Sequence, residues 1–125
     1  MDIADVARIA ATMPEVTEGE RRGTVTWLVA GEVFAWERPY SKADIKRFGD
    51  ESYPPEPLVG VRTAGLNEKE ALLATTSDAV FTIEHFQGYA AVLVCLSRVD
   101  EQELTEVLTE GWLAKAPPKL IQKLG

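Results

Sequence analysis

Among its 125 residues the chain has one cysteine and one histidine. A single cysteine closes no internal disulfide, which fits a reducing cytosol. Cys95 and His85 alone do not make the three- or four-ligand cage a transition metal takes from protein, so no metal or other cofactor is expected. No serine stands in a G-x-S-x-G elbow, and no glycine run forms a phosphate loop. No catalytic residue is therefore assigned, and the expectation is a protein that is not an enzyme. Long apolar runs are missing too: none approaches the ~20 residues of a membrane-spanning helix. The first residues, MDIADVARIAATMP, carry two acids and no long apolar stretch, unlike a secretory signal. A surplus of positive charge is also lacking. The net charge is −7, which argues against a dominant attraction to phosphate backbones or anionic membranes but leaves a local basic face open. A soluble, cytoplasmic protein without a membrane partner is expected. No residue pattern assigns an oligomeric state, and the monomer is the default.

Apolar residues at 46% and charged residues at 26% are the profile of a globular protein. The length suits one domain over residues 1–125 with a real core. The stretch Val80 to Val99 reads as its centre. Tyr89 to Leu96 is an unbroken apolar run, the pattern of a strand buried on both faces. A strand near Val80 to Ile83 and a polar corner, Glu84 to Gly88, precede it. Elsewhere, Asp2 caps a helix whose Ile3, Val6, Ala7, Ala10 and Met13 share one face. Pro14 ends it, and Pro14 to Glu20 reads as an acidic connector.

Thr24 to Val29 and Glu32 to Glu37 form a hairpin about Ala30-Gly31. Strict alternation predicts Phe34 and Trp36 on one face, Val33 and Ala35 on the other. Arg38 to Pro57 reads as a long loop and Leu58 to Thr63 as a strand. A helix opens at Leu66 to Glu70, with Asn67 as its cap. Asp100 and Glu103 spell a capping box, Val99 and Leu104 a hydrophobic staple, and Leu104, Leu108 and Trp112 one stripe of a helix. Ala116-Pro117-Pro118 breaks it, and a last helix carries Leu120, Ile121 and Leu124 on one face. The sum predicts an α+β fold in the order α-β-β-β-α-β-β-α-α: a five-stranded, mainly antiparallel sheet with helices packed on one face.

Candidate sites follow from charge and aromatics. Arg38, Lys42, Lys46 and Arg47 lie in the long loop with Tyr40 and Phe48. That is the pairing single-strand binders use for phosphate contact and base stacking. Lys115, Lys119 and Lys123 recur every four residues and form a second basic stripe if the chain is helical there. Against this stand a solvated loop diluted by Asp44, Asp50 and Glu51, and the ordinary bias of Lys toward a helix C-terminus. A small-ligand site is a further candidate around Trp36, Glu37, Thr82, His85 and Tyr89. The competing reading makes His85 a hydrogen-bonded structural residue. Cys95 reads as a small buried hydrophobe, and Trp27, Trp36 and Trp112 as core anchors, Trp36 least clearly.

Several stretches together resemble the MmcQ/YjbR family: Pro14-Glu15-Val16-Thr17-Glu18-Gly19, then Val33-Phe34-Ala35-Trp36. Thr82 with His85 and Gly88-Tyr89 follow, and then Trp112 with Ala116-Pro117 and Lys119. The resemblance spans nearly the whole chain in the family's order. It implies an α+β domain of CyaY-like or secretion-chaperone-like architecture in a bacterial cytoplasm. It further implies DNA binding through a double-wing arrangement, while the chaperone-like architecture suggests a protein or peptide partner instead. The chain departs from the family at one place. Many members carry an Asn-Lys-Lys-His-Trp-like stretch after the threonine-containing strand, and here Glu84 to Tyr89 holds no lysine or arginine.

Overall fold

A six-stranded sheet in which every neighbouring pair is antiparallel organises the chain, in the strand order β1-β2-β3-β4-β6-β5. The structure is a computed structural model that describes residues 1–124, the side chain of Leu124 excepted. The elements run α1 (Ile3–Ala10), β1 (Val16–Arg21), β2 (Thr24–Val29), β3 (Glu32–Glu37), α2 (Lys42–Phe48) and β4 (Leu58–Arg62). They continue α3 (Leu66–Thr75), β5 (Val80–Phe81), a single 3₁₀ turn over Glu84–Phe86, β6 (Ala91–Cys95), α4 (Glu101–Lys115) and α5 (Pro118–Leu124). The α+β class is as expected. The expected place of Leu124 on the apolar face of α5 lies outside the described side chains.

The sheet has six strands, not five, because the acidic connector is itself a strand. β1 has little strand propensity of its own, with two glutamates and a glycine. It forms because Arg22-Gly23, both at positive φ, make a two-residue turn that lays β1 along β2 from Arg21↔Thr24 to Val16↔Val29. As an edge strand it stays largely exposed, which is why polar residues suffice. Ala30-Gly31 makes the matching turn between β2 and β3.

The long loop is likewise not structureless. Ser41 and Asp44 form a reciprocal capping box, and α2 grows from it. α3 starts two residues earlier than Asn67 would cap: its N-cap is Gly65, with no side-chain bond, and Asn67 is inside the helix. At α4 only half of the expected box forms. Asp100 accepts the Glu103 N–H at 2.8 Å, but the Glu103 carboxylate turns away to accept the Ser77 N–H at 3.1 Å.

Helices cover both faces of the sheet, not one. The larger core lies on the α1 and α4 side and takes Trp27, Val59, Val61, Val92, Val94 and the α4 stripe of Leu104, Leu108 and Trp112. The smaller core lies opposite. There Leu58, Ala91, Leu93 and Cys95 meet Ile83 and Phe86 of the corner, with Phe48 of α2 and Tyr40 packed against them. Odd and even residues of β4 and β6 thus feed different cores, as the doubly apolar run requires. Strict alternation fails once. Between Trp27↔Ala35 and Leu28↔Val33 the β2–β3 register shifts, and Phe34 is the extra residue. The bulge places Phe34 and Ala35 together in the larger core and leaves Trp36 on the opposite face.

Candidate functional site

One row of residues crosses the sheet on the smaller-core face: Gly19, Thr26, Trp36, Gly60, Leu93 and Phe81, each opposite the next. Leu93 and Phe81 are covered by the smaller core. Trp36 is flanked by Gly60 on one side and Thr26 on the other, both buried. A Cβ on Gly60 would stand 2.7 Å from Cε2 and Cζ2 of Trp36, closer than packing allows. Glycine is what lets the indole lie down on the strand beside it.

Over this indole opens a cleft of about 950 Å³. Thr24, Thr26, Val33 and Trp36 form its floor, and His85, Phe86 and Tyr89 of the corner line it as well. Tyr89 lies 6.3 Å from Trp36 by ring centroids, and Phe86 lies edge-on to Tyr89 at 5.3 Å. Five cations line the same space: Arg21, Arg22, Arg38, Arg62 and Lys115, against the two carboxylates of Glu32 and Glu37. Glu37 already accepts the Val25 N–H at 3.2 Å.

The corner is basic in space although not in sequence. The Arg38 guanidinium sits 5.5 Å over the Phe86 ring. That of Arg62 sits 4.8 Å over Tyr89 and donates to its hydroxyl at 2.6 Å. The Nε of Arg62 is buried and has no partner among the described residues.

Lys69 holds the corner from behind. It is only 6% exposed, and its Nζ donates to the carbonyls of Phe86 at 2.7 Å and Tyr89 at 2.9 Å. Burial holds its pKa below the usual lysine range. Arg38 is held by Asp44, whose carboxylate accepts from it at 2.9 Å and from Ser41 N at 2.9 Å. Burial pushes the Asp44 carboxyl up, but the Ser41 N–H and the Arg38 guanidinium outweigh it and hold the group below 3.8.

The structure divides the sequence-based candidates. Trp36, Glu37, His85 and Tyr89 meet in the cleft, while Thr82 lines a separate 430 Å³ hollow beside Arg47 and Phe48. Of the nucleic-acid set, Arg38 and Lys115 reach the cleft. Tyr40 turns inward: its hydroxyl donates to Pro54 O at 2.7 Å, and burial raises its pKa to about 12. Phe48 stacks on Tyr53 at 4.6 Å. Lys42 and Lys46 stand exposed on α2, and Arg47 lies 3.6 Å from Asp44. Tyr40 and Phe48 thus pack among themselves and Tyr53, while Lys42 and Lys46 face solvent on α2.

Nor do the three C-terminal lysines form one stripe. Ala116 is extended, at ψ 138, so α4 ends and Lys119 and Lys123 belong to α5. Arg21, Arg22 and Arg62 were missed by sequence reasoning. The Arg22-Gly23 turn could have flagged the first two; Arg62 carries no local signal. Cys95, Trp27 and Trp112 are core residues as expected, at 0%, 1% and 3% exposure. Among the described residues no group of three His, Cys, Asp or Glu side chains could hold a metal ion.

The profile of the YjbR family matches residues 11–114, which takes in the whole sheet and all but the end of α4. The chain belongs to the YjbR family. Proteins of Mycobacterium tuberculosis and Mycobacterium bovis, each described as uncharacterised, are 40% identical to it over 121 residues, covering 94% of this chain and 91% of theirs. The YjbR match thus includes every strand that floors the cleft, together with its corner. Among the described residues no helix is long and apolar enough to cross a membrane.

Proposed function

We propose that this YjbR chain is a non-catalytic binding module whose cleft takes single-stranded nucleic acid. The carrying observation is the gathering of five cationic side chains around Trp36 and Tyr89 in a chain of net charge −7. Arginine and lysine suit phosphate, and exposed aromatic rings suit the flat face of any base. Duplex DNA fits less well, because its base faces are stacked and cannot reach a ring lying on the sheet. A bacterial cytoplasm is the setting we propose, supported by the single buried thiol and by the mycobacterial relatives.

Intrinsic tryptophan fluorescence tests the reading directly. Trp27 and Trp112 are 1% and 3% exposed, so quenching by an added ligand reports Trp36. Oligothymidylate is expected to quench at low salt and a duplex of equal length to quench far less. The logarithm of the binding constant should fall with that of salt, by about 0.7 per phosphate contacted. No quenching at low salt, or binding indifferent to salt, would overturn the proposal. The convergence of Trp36, Glu37, His85 and Tyr89 also favours a second reading, a free aromatic anion of nucleotide size.

A further inference from the structure

The five cations of the cleft are not equally free to meet a ligand. Two are already committed. The Arg38 guanidinium donates to the Asp44 carboxylate at 2.9 Å and to the carbonyl of Pro39, and it lies over the Phe86 ring. The two side chains of this ion pair are 17% and 1% exposed, so Asp44 cancels the charge of Arg38 where it stands. Arg62 has no carboxylate partner. Its guanidinium lies over the Tyr89 ring, donates to the Tyr89 hydroxyl at 2.6 Å, and has its Nε buried. Both ties go to one ring, and Arg62 must release that ring to turn toward a phosphate.

The other three are uncommitted. Among the described residues, the ion pairs draw on Arg8, Arg38 and Arg47. The arginine and lysine side chains that donate hydrogen bonds there are those of Arg8, Arg38, Arg62 and Lys69. Arg21, Arg22 and Lys115 belong to neither set, and all three line the cleft. Arg21 and Arg22 are exposed at the turn from β1 to β2, and Lys115 is half-buried at the end of α4. The salt dependence of binding counts the phosphates that cations neutralise. A cation neutralised by its own carboxylate adds nothing to that count.

We propose that Arg21, Arg22 and Lys115 are the phosphate-contacting residues of the cleft, and that Arg62 is a positioning residue that holds Tyr89 as a stacking surface. Tyr89 is 37% exposed and faces Trp36 at 6.3 Å, so its placement sets the aromatic part of the site. This deepens the single-strand reading and rests on it. The ligand is then a short stretch of single strand that engages the cleft through no more than three phosphates.

Trp36 quenching by an oligothymidylate of about ten nucleotides, titrated at several salt concentrations, tests this. The logarithm of the binding constant should fall with that of salt at a slope of about 2, which is about 0.7 for each of three phosphates. Arg21→Gln, Arg22→Gln and Lys115→Gln should each lower the slope by about 0.7. Arg62→Gln should leave the slope nearly unchanged and weaken binding about threefold or more. Tyr89→Phe keeps the ring and every charge of the cleft, and should weaken binding in the same way. In the double variant the two losses should not add, since either change alone breaks the same tie. A parent slope near 3.5, as five contacts would give, or a fall of about 0.7 in Arg62→Gln, would overturn the assignment. Losses that add in the double variant would overturn the positioning role. Binding whose slope none of the Arg21, Arg22 and Lys115 variants changes would overturn the phosphate-contacting set alone. Absence of quenching in the parent would remove the single-strand reading itself.

Discussion

At the scale of single residues, Lys69 is the least expected part of the site. A lysine on a short helix reads as solvated, yet this one is buried with its amine on two backbone carbonyls of the corner. Those carbonyls belong to Phe86 and Tyr89, so Lys69 fixes where the aromatic wall stands. It touches no ligand and acts as a positioning residue. Lys69→Met keeps the length of the side chain and removes the donors. The orphaned carbonyls should lower stability by about 1–3 kcal/mol in urea denaturation. The binding of oligothymidylate should weaken in the same variant as Tyr89 loosens. A methionine variant as stable and as tight-binding as the parent would show the bonds to be incidental. Lys69 had no sequence signal, because its partners lie 17 and 20 positions away.

Among the elements, α2 is small but well secured. Its seven residues could not hold a helix in water alone. The Ser41–Asp44 box starts it, and Phe48 docks it on the smaller core. Asp44 serves twice, as cap partner and as counterion of Arg38 in the cleft. Asp44→Asn should cost about 2 kcal/mol, since the half-buried Arg38 loses its charged partner. The pH dependence has a definite sign. The carboxyl is held below 3.8 in the folded chain, so its contribution is complete above that pH and is lost as pH falls through the lowered value. Urea midpoints measured from about pH 5 down to about pH 2 should therefore fall less steeply in the asparagine variant. The capping box was legible in the sequence as Ser41-x-x-Asp44. Loop-like prolines on both sides hid it.

For the whole molecule, the sheet separates two cores with different duties. The larger one, under α1 and α4, carries most of the fold; the smaller one backs the corner and hence the cleft. Val92 and Leu93 are adjacent and both fully buried, but face opposite cores. Leu93→Ala should cost about 2–5 kcal/mol and Val92→Ala somewhat less, as fewer methyl groups are removed. Only the leucine variant should also weaken ligand binding at a temperature where both remain folded. Calorimetry paired with Trp36 quenching would check this, and equal binding in both variants would argue that the smaller core does not support the cleft.

The sequence by itself determined the parts governed by local patterning. It set the α+β class, the Ala30-Gly31 hairpin, the doubly buried strand β6, the α4 stripe, and the identity of Trp36, His85 and Tyr89 as residues of interest. Period and capping chemistry are local properties, and local properties are written along the chain. The tertiary structure decided the rest. Pairing made a strand of the acidic Val16–Arg21 segment, and one bulge moved Phe34 off the face of Trp36. Gly60 let that indole lie flat. The corner from Glu84 to Tyr89 carries no cation of its own, and the fold supplies them from β4, from the β1–β2 turn and from Arg38. Coulomb attraction depends on distance in space, not along the chain, so a site assembled from four separate segments has no sequence pattern to betray it.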